Sequence, residues 1–337
     1  MFSRFVIPIF IPHEGCPHCC LFCNQCRISG QRGSPVNAAE VRQEIQTWLD
    51  RRQKSQAAVQ VAFYGGSFTA LSCTRQEELL TAAAPFLKTG QVQSLRLSTR
   101  PDCMNADQAA FLKAHQVATV ELGAQSMNDG VLAAARRGHT AADTKRAMAV
   151  LQQAGLETGI QLLIGLLGDS RTSLRRTVEQ IIALRPDFVR LYPLLVLRGS
   201  GLAELYRQGQ YQPLSLAKAV LLAAFMQERF ERVGIRTVRM GLQAGPELED
   251  SLLAGPWHPA FGELVKSRLM LKQTRKLLAQ AKGGHICLRI SSRDQSVFRG
   301  LKSANLDRLR QLGLWQDAVL TADPEQLRGT VRLLPCT

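Results

Sequence analysis

Six short β-rich runs, at residues 5–11, 59–64, 94–99, 119–123, 158–164 and 188–193, alternate along this chain with segments of helical character. The intervening segments, 39–52, 75–87, 106–115, 141–154 and 173–184, place apolar residues three and four apart with charges between them, the pattern of amphipathic helices. Strands that alternate with helices are joined by right-handed crossovers into a parallel sheet. Six such units predict an α/β fold, an incomplete (β/α)6 barrel. Past residue 198 the alternation weakens. Helical patterns at 215–232 and 262–281 flank a turn-rich stretch, 241–262, and a β-like run at 285–291 precedes a last helix over 303–312. These patterns predict a barrel domain at 1–198 and a C-terminal helical or α+β extension at 199–337, packed on the barrel.

The 337 residues are 45% apolar, 20% charged and 6% aromatic, which excludes a disordered, collagenous or disulfide-scaffold chain. No run approaches the roughly 18 to 20 apolar residues of a membrane span. Pro8 and Pro12 interrupt the apolar start and no small-residue cleavage site follows, so a cytoplasmic protein is expected.

Five of the nine cysteines, Cys16, Cys19, Cys20, Cys23 and Cys26, fall within eleven residues directly after the first run. Such crowding points to a metal or cluster site rather than to disulfides. Cys16, Cys20 and Cys23 have the spacing C-x3-C-x2-C, and three thiolates from one loop suit three irons of a 4Fe-4S cluster, the fourth iron staying open. Zinc is the alternative, since Cys16/Cys19, Cys20/Cys23 and Cys23/Cys26 are C-x2-C pairs. A structural zinc site, however, normally draws its pairs from turns about 12 or more residues apart. Cys19 and Cys26 are then bystanders.

In parallel barrels the chemistry lies in loops at the C-terminal ends of the strands. The cysteines follow the first run, Gly65-Gly66-Ser67 the second, Arg100-Pro101-Asp102 the third and Gln125 the fourth. Together, the C-x3-C-x2-C loop after a first strand, FYGGSFTAL, STRPD and ELGAQS with RRGHT resemble the radical S-adenosylmethionine (SAM) enzymes, in the branch of the Elongator catalytic subunit. The resemblance runs from about residue 7 to 193 and implies a 4Fe-4S cluster on Cys16, Cys20 and Cys23. It also implies an open iron that chelates SAM, an electron donor such as a flavodoxin or ferredoxin, and a 5′-deoxyadenosyl radical that abstracts a substrate hydrogen. By the same resemblance Phe22 contacts adenine, and Gly65, Gly66 and Ser67 hold the SAM amino group. Ser98, Arg100, Gln125 and Arg137 are assigned further SAM contacts, among them the ribose and the methionine carboxylate, as are Gln161 and Tyr192.

Two departures matter. The Elongator subunit continues into an acetyltransferase domain for which 337 residues leave no room. A porphyrinogen oxidase, the other enzyme with a similar glutamine and arginine, has a fourth cysteine where this chain has Gln25.

The formal net charge is +15, and residues 262–312 carry twelve Lys/Arg, including Lys272, Arg275 and Lys276, against Glu263, Asp294 and Asp307. A basic segment of this kind is an anion or nucleic-acid face, or only a solvated surface. The expected substrate is tRNA, with His258 a candidate acid or base. A small anionic substrate such as a porphyrinogen, and a non-catalytic iron-sulfur or haem carrier, are the alternatives.

Overall fold

The computed structural model describes residues 4–29, 35–52, 57–281, 286–315 and 318–334. Seven strands form one fully parallel sheet in chain order: β1 (Phe5–Phe10), β2 (Val59–Tyr64), β3 (Ser94–Thr99), β4 (Val117–Gln125), β5 (Glu157–Ile164), β6 (Phe188–Pro193) and β7 (Arg236–Met240). Chain order without a closing pair leaves β1 and β7 as free edges, so the sheet is a curled, incomplete barrel. The helices between the strands are α1 (Ala38–Arg51), α2 (Cys73–Lys88), α3 (Ala106–Ala114), α4 (Ala141–Gln153), α5 (Arg171–Leu184) and α6 (Leu216–Glu231). Each begins at a side-chain cap, from Asn37, Ser72, Asn105, Thr140, Ser170 and Ser215 in turn, which accepts from an otherwise unpaired backbone N–H.

The incomplete barrel expected from six strands carries a seventh at its edge. The sequence of that strand, RTVRM, carries two arginines in five residues and has no apolar alternation, and as an edge strand with half-exposed side chains it needs none.

Residues after 198 extend the main core and build a second one of their own, and Leu202, Ala203, Tyr211 and Leu248 join two smaller clusters. α6 and β7 complete the main core. Helix α7 (Phe261–Gln280) inserts Phe261 and Val265 into it and then buries Met270, Leu271 and Leu278 in a second. That second core lies under a three-stranded sheet, with β8 (Ile286–Ser291) between β9 (Ala318–Asp323) and β10 (Val331–Leu334), and α8 (Ala304–Gln311) packs there too. Residues 282–285, inside the basic segment and at the start of the β-like run, lie outside the described residues. No described helix is long and apolar enough to cross a membrane.

Candidate active site

The cysteine loop leaves β1 at the C-terminal end of the sheet and is pinned there. Leu21 N donates to Ala135 O at 3.1 Å, Leu202 N to Leu21 O at 2.7 Å, and the Asn24 amide to Arg198 O at 2.9 Å. Inside the loop Cys23 N donates to Cys20 O at 3.0 Å. These bonds hold Cys16, Cys20 and Cys23 on one short loop, near enough for their thiols to act on one another electrostatically. Burial pushes the Cys23 thiol up to about 12, with further upward pressure from Cys20 and Cys16 beside it, and burial followed by Cys20 also raises Cys16. Cys19 stands exposed.

Arg137 reaches this loop from the turn after β4. Its Nη1 donates to Cys20 Sγ at 3.1 Å, its Nη2 to Gly123 O at 2.6 Å, and the guanidinium lies 6.0 Å from the Phe22 ring centre. Only 7% of Arg137 is exposed, so it is no surface helix residue, and its buried Nε has no hydrogen-bond partner. Arg100, also buried, pairs with Asp102 at 3.0 and 3.1 Å and donates to the Arg137 carbonyl, which holds that turn in place.

Glycine is required here for packing. A Cβ on Gly66 would sit 2.4 Å from Glu14 O and 2.7 Å from Ile11 O, so no side chain fits between the GGS turn and the entry to the cysteine loop. Gln125 ends β4 in the left-handed region at φ +66°, beside an irregularity in the β4–β5 register. A non-glycine residue held there costs on the order of 1–3 kcal/mol, a strain that clusters at functional sites.

A cavity of about 1930 Å³ opens from the cysteine loop into the barrel. It gathers Cys16, Cys20, Cys23, Phe22, Gly65, Gly66, Ser98, Arg100, Gln125, Arg137, Gln161 and Tyr192 on one wall system. Ser67 is not among them. Its buried hydroxyl bonds Thr99 Oγ1 at 3.2 Å and accepts from Arg100 N at 3.3 Å, so it braces the second and third loops. His258 is also elsewhere: its Nδ1 accepts from Ala260 N at 3.0 Å and orders the turn that starts α7. Lys272, Arg275 and Lys276 lie exposed on α7, outside the cavity, and Lys272 pairs with Glu228 at 2.6 Å.

Sequence reasoning missed the centre of the barrel, where Tyr64, Arg96, Glu121 and Arg190 meet Gln161 and Tyr192. A signal was present: Arg96, Glu121 and Arg190 are charges in the middle of otherwise apolar strands, at positions whose period of two faces the lumen.

The donor set suits a cluster. Three cysteines on one short loop, a buried cation that donates to Cys20 and an orphaned Nε on that cation together suit an anionic centre. Among the described residues no three of His, Cys, Asp or Glu converge on a point for a single metal ion.

Fold and site thus define a curled, incomplete α/β barrel that carries a cysteine loop and a buried arginine at the C-terminal ends of its strands. The chain belongs to the radical SAM superfamily: residues 10–181 match the model of that superfamily and residues 186–270 match its C-terminal domain. An uncharacterized protein of Methanocaldococcus jannaschii is 26% identical over 225 residues, 62% of this chain and 67% of that protein. The tRNA uridine(34) acetyltransferase of the same organism is 28% identical over 150 residues, covering 44% of this chain and 28% of the relative, so the chain spans little more than a quarter of that protein. The solved structure of the archaeal Methanocaldococcus infernus Elp3 superposes with a TM-score of 0.65 at 20% identity over 86% of this chain and 71% of the other, which bears on the fold.

Proposed function

We propose that this radical SAM enzyme binds a 4Fe-4S cluster through Cys16, Cys20 and Cys23, cleaves SAM reductively, and acts on tRNA. When bound, the cluster and SAM supply an electron and a 5′-deoxyadenosyl radical that removes a hydrogen atom from the substrate. The observation that carries the reading is Arg137, buried between the thiols and the cavity with its Nε unpartnered. A guanidinium there neutralises the anionic centre and has a donor left for a carboxylate such as that of SAM. Arg100 fixes Arg137 through its carbonyl, and the strained Gln125 presents its amide to the same end of the cavity. The barrel wall would exclude water from the radical and position the substrate hydrogen.

The RNA part of the reading is supported by the tRNA-acting relative and by the exposed cations Arg268, Arg275, Lys276, Arg293, Arg299 and Lys302 of the C-terminal region. A second reading, a small anionic substrate, is favoured by the cavity itself, whose wall carries nine arginines against Glu157 and Glu247. The test is anaerobic incubation of cluster-loaded protein with dithionite, SAM and tRNA, followed by mass spectrometry. 5′-Deoxyadenosine together with a modified nucleoside supports both parts, and 5′-deoxyadenosine without any RNA product leaves only the first.

A further inference from the structure

Five strands direct polar side chains to one point inside the barrel, well away from the cysteines in sequence. The fully buried Glu121 carboxylate of β4 accepts at Oε1 from Arg96 Nε (2.6 Å, β3) and from the Tyr64 hydroxyl (3.1 Å, β2). At Oε2 it accepts from Gln161 Nε2 (3.0 Å, β5), and Arg190 Nε (β6) lies 2.8 Å away. Arg190 also donates to the hydroxyls of Tyr64 at 2.9 Å and Tyr192 at 3.3 Å. Two guanidiniums therefore share one carboxylate.

The next acid along the lumen, Glu157, is shared by Arg4 and Arg236 and also acts electrostatically on Arg96, so four guanidiniums stand against two carboxylates. Glu121 itself is buried behind the arginines, whereas Arg96, Arg190, Tyr64, Gln161 and Tyr192 all line the cavity. A ligand entering the lumen thus meets N–H and O–H donors before it meets the acid. Tyr192, which accepts from Arg190, keeps its own proton to donate. A cation excess held away from water is costly unless a counter-charge joins it. The cavity also exceeds the roughly 300–1,000 Å³ that one small ligand occupies, which leaves room for a second ligand beside a cosubstrate.

We infer that Arg190, Arg96 and Tyr192 form a subsite that binds the carboxylate or phosphate of a small molecule inside the barrel, with Glu121 positioning the two guanidiniums. The inference rests on reading this cavity as the active site, and it deepens the second reading of that site, a small anionic substrate.

The test is calorimetric titration of the full chain, cluster-loaded and saturated with SAM so that the free donor of Arg137 is occupied. The probes are sodium succinate and sodium phosphate, with sodium chloride at matched ionic strength as the control. One site per chain is expected for at least one probe, and the probe that binds names the group, succinate a carboxylate and phosphate a phosphate ester. Arg190→Gln should weaken binding about tenfold or more, the effect of losing a charge-assisted contact. Tyr192→Phe should weaken it by a smaller factor. Glu121→Gln should instead tighten it, because both guanidiniums lose their internal acid, whereas a purely structural cluster would show no gain.

Binding of neither probe above the chloride control overturns the inference, as does unchanged affinity in both Arg190→Gln and Glu121→Gln. If those two variants do not fold, unchanged affinity in Tyr192→Phe overturns it alone. Because the readout is heat of binding, failure here with 5′-deoxyadenosine still formed rejects only the subsite, and anion binding without SAM cleavage rejects only the radical reading.

Discussion

The Arg137 guanidinium donates to the sulfur of Cys20 at 3.1 Å although 117 residues separate them in the chain. The contact joins the loop after β1 to the turn after β4, so the cysteines and the cation that faces them are set by two different strand ends. Gly123 supports it: its carbonyl accepts from Arg137 Nη2 at 2.6 Å, and a Cβ there would crowd the Gln125 amide at 3.0 Å.

Cys16→Ala, Cys20→Ala and Cys23→Ala should each lose the brown chromophore and most of the iron. Cys19→Ala and Cys26→Ala should each retain about four irons per chain, as three ligands to a cluster with one open iron require. Iron and sulfide analysis after anaerobic reconstitution reads the difference, and loss of iron in Cys19→Ala equal to that in Cys20→Ala would refute the ligand set.

Arg137→Ala should weaken SAM binding by about tenfold or more, since a charge-assisted contact at a partly buried site contributes about 1.5–3 kcal/mol. Equilibrium dialysis with labelled SAM measures this, and unchanged affinity would limit Arg137 to supporting the cysteine loop.

Glu121→Ala should lower stability by about 3–5 kcal/mol, because Arg96 and Arg190 would be left buried without their acid. Urea unfolding of wild type and variant is the measurement. A loss below about 1 kcal/mol would mean that water or a bound anion already screens the pair.

His139 predicts a pH dependence. Burial first, then Arg137 and Arg100, lowers its pKa from 6.5 to about 4, and its Nε2 bonds Ala124 O at 3.2 Å. The folded chain keeps this ring neutral while the unfolded chain protonates it near 6.5, so below that pH the unfolded state binds more protons. The stability held above pH 6.5 is therefore lost as the pH falls toward 4, by about 3 kcal/mol at most. His139→Gln should flatten that part of the profile relative to wild type in unfolding measured from pH 7 to 4; parallel profiles would contradict the shift.

tRNA affinity should fall steeply with salt, each neutralised phosphate adding about 0.7 to 0.9 to the log-log slope. Changing Lys272, Arg275 and Lys276 to Gln should reduce both affinity and slope. Lys272 contributes least, since Glu228 already holds it. Equal binding and slope in wild type and variant would make α7 a solvated face.

The sequence alone determined the alternation of strands and helices, with β2, β3 and β6 at the expected residues, because a period of two and a spacing of three and four are local properties. It also determined that cysteines, glycines and the arginine turn would fall at strand ends, since strand order in a parallel sheet places every βα loop on one side. Only the tertiary structure decided the rest. β7 became a strand by pairing with β6 at an edge where its own pattern carries no signal. Ser67 was turned away from the cavity by Thr99, and Gln161 and Tyr192 were drawn into the network of Glu121 and Arg190. Those partners come from different strands, and no local pattern in one strand encodes which side chains of another will meet it once the sheet curls.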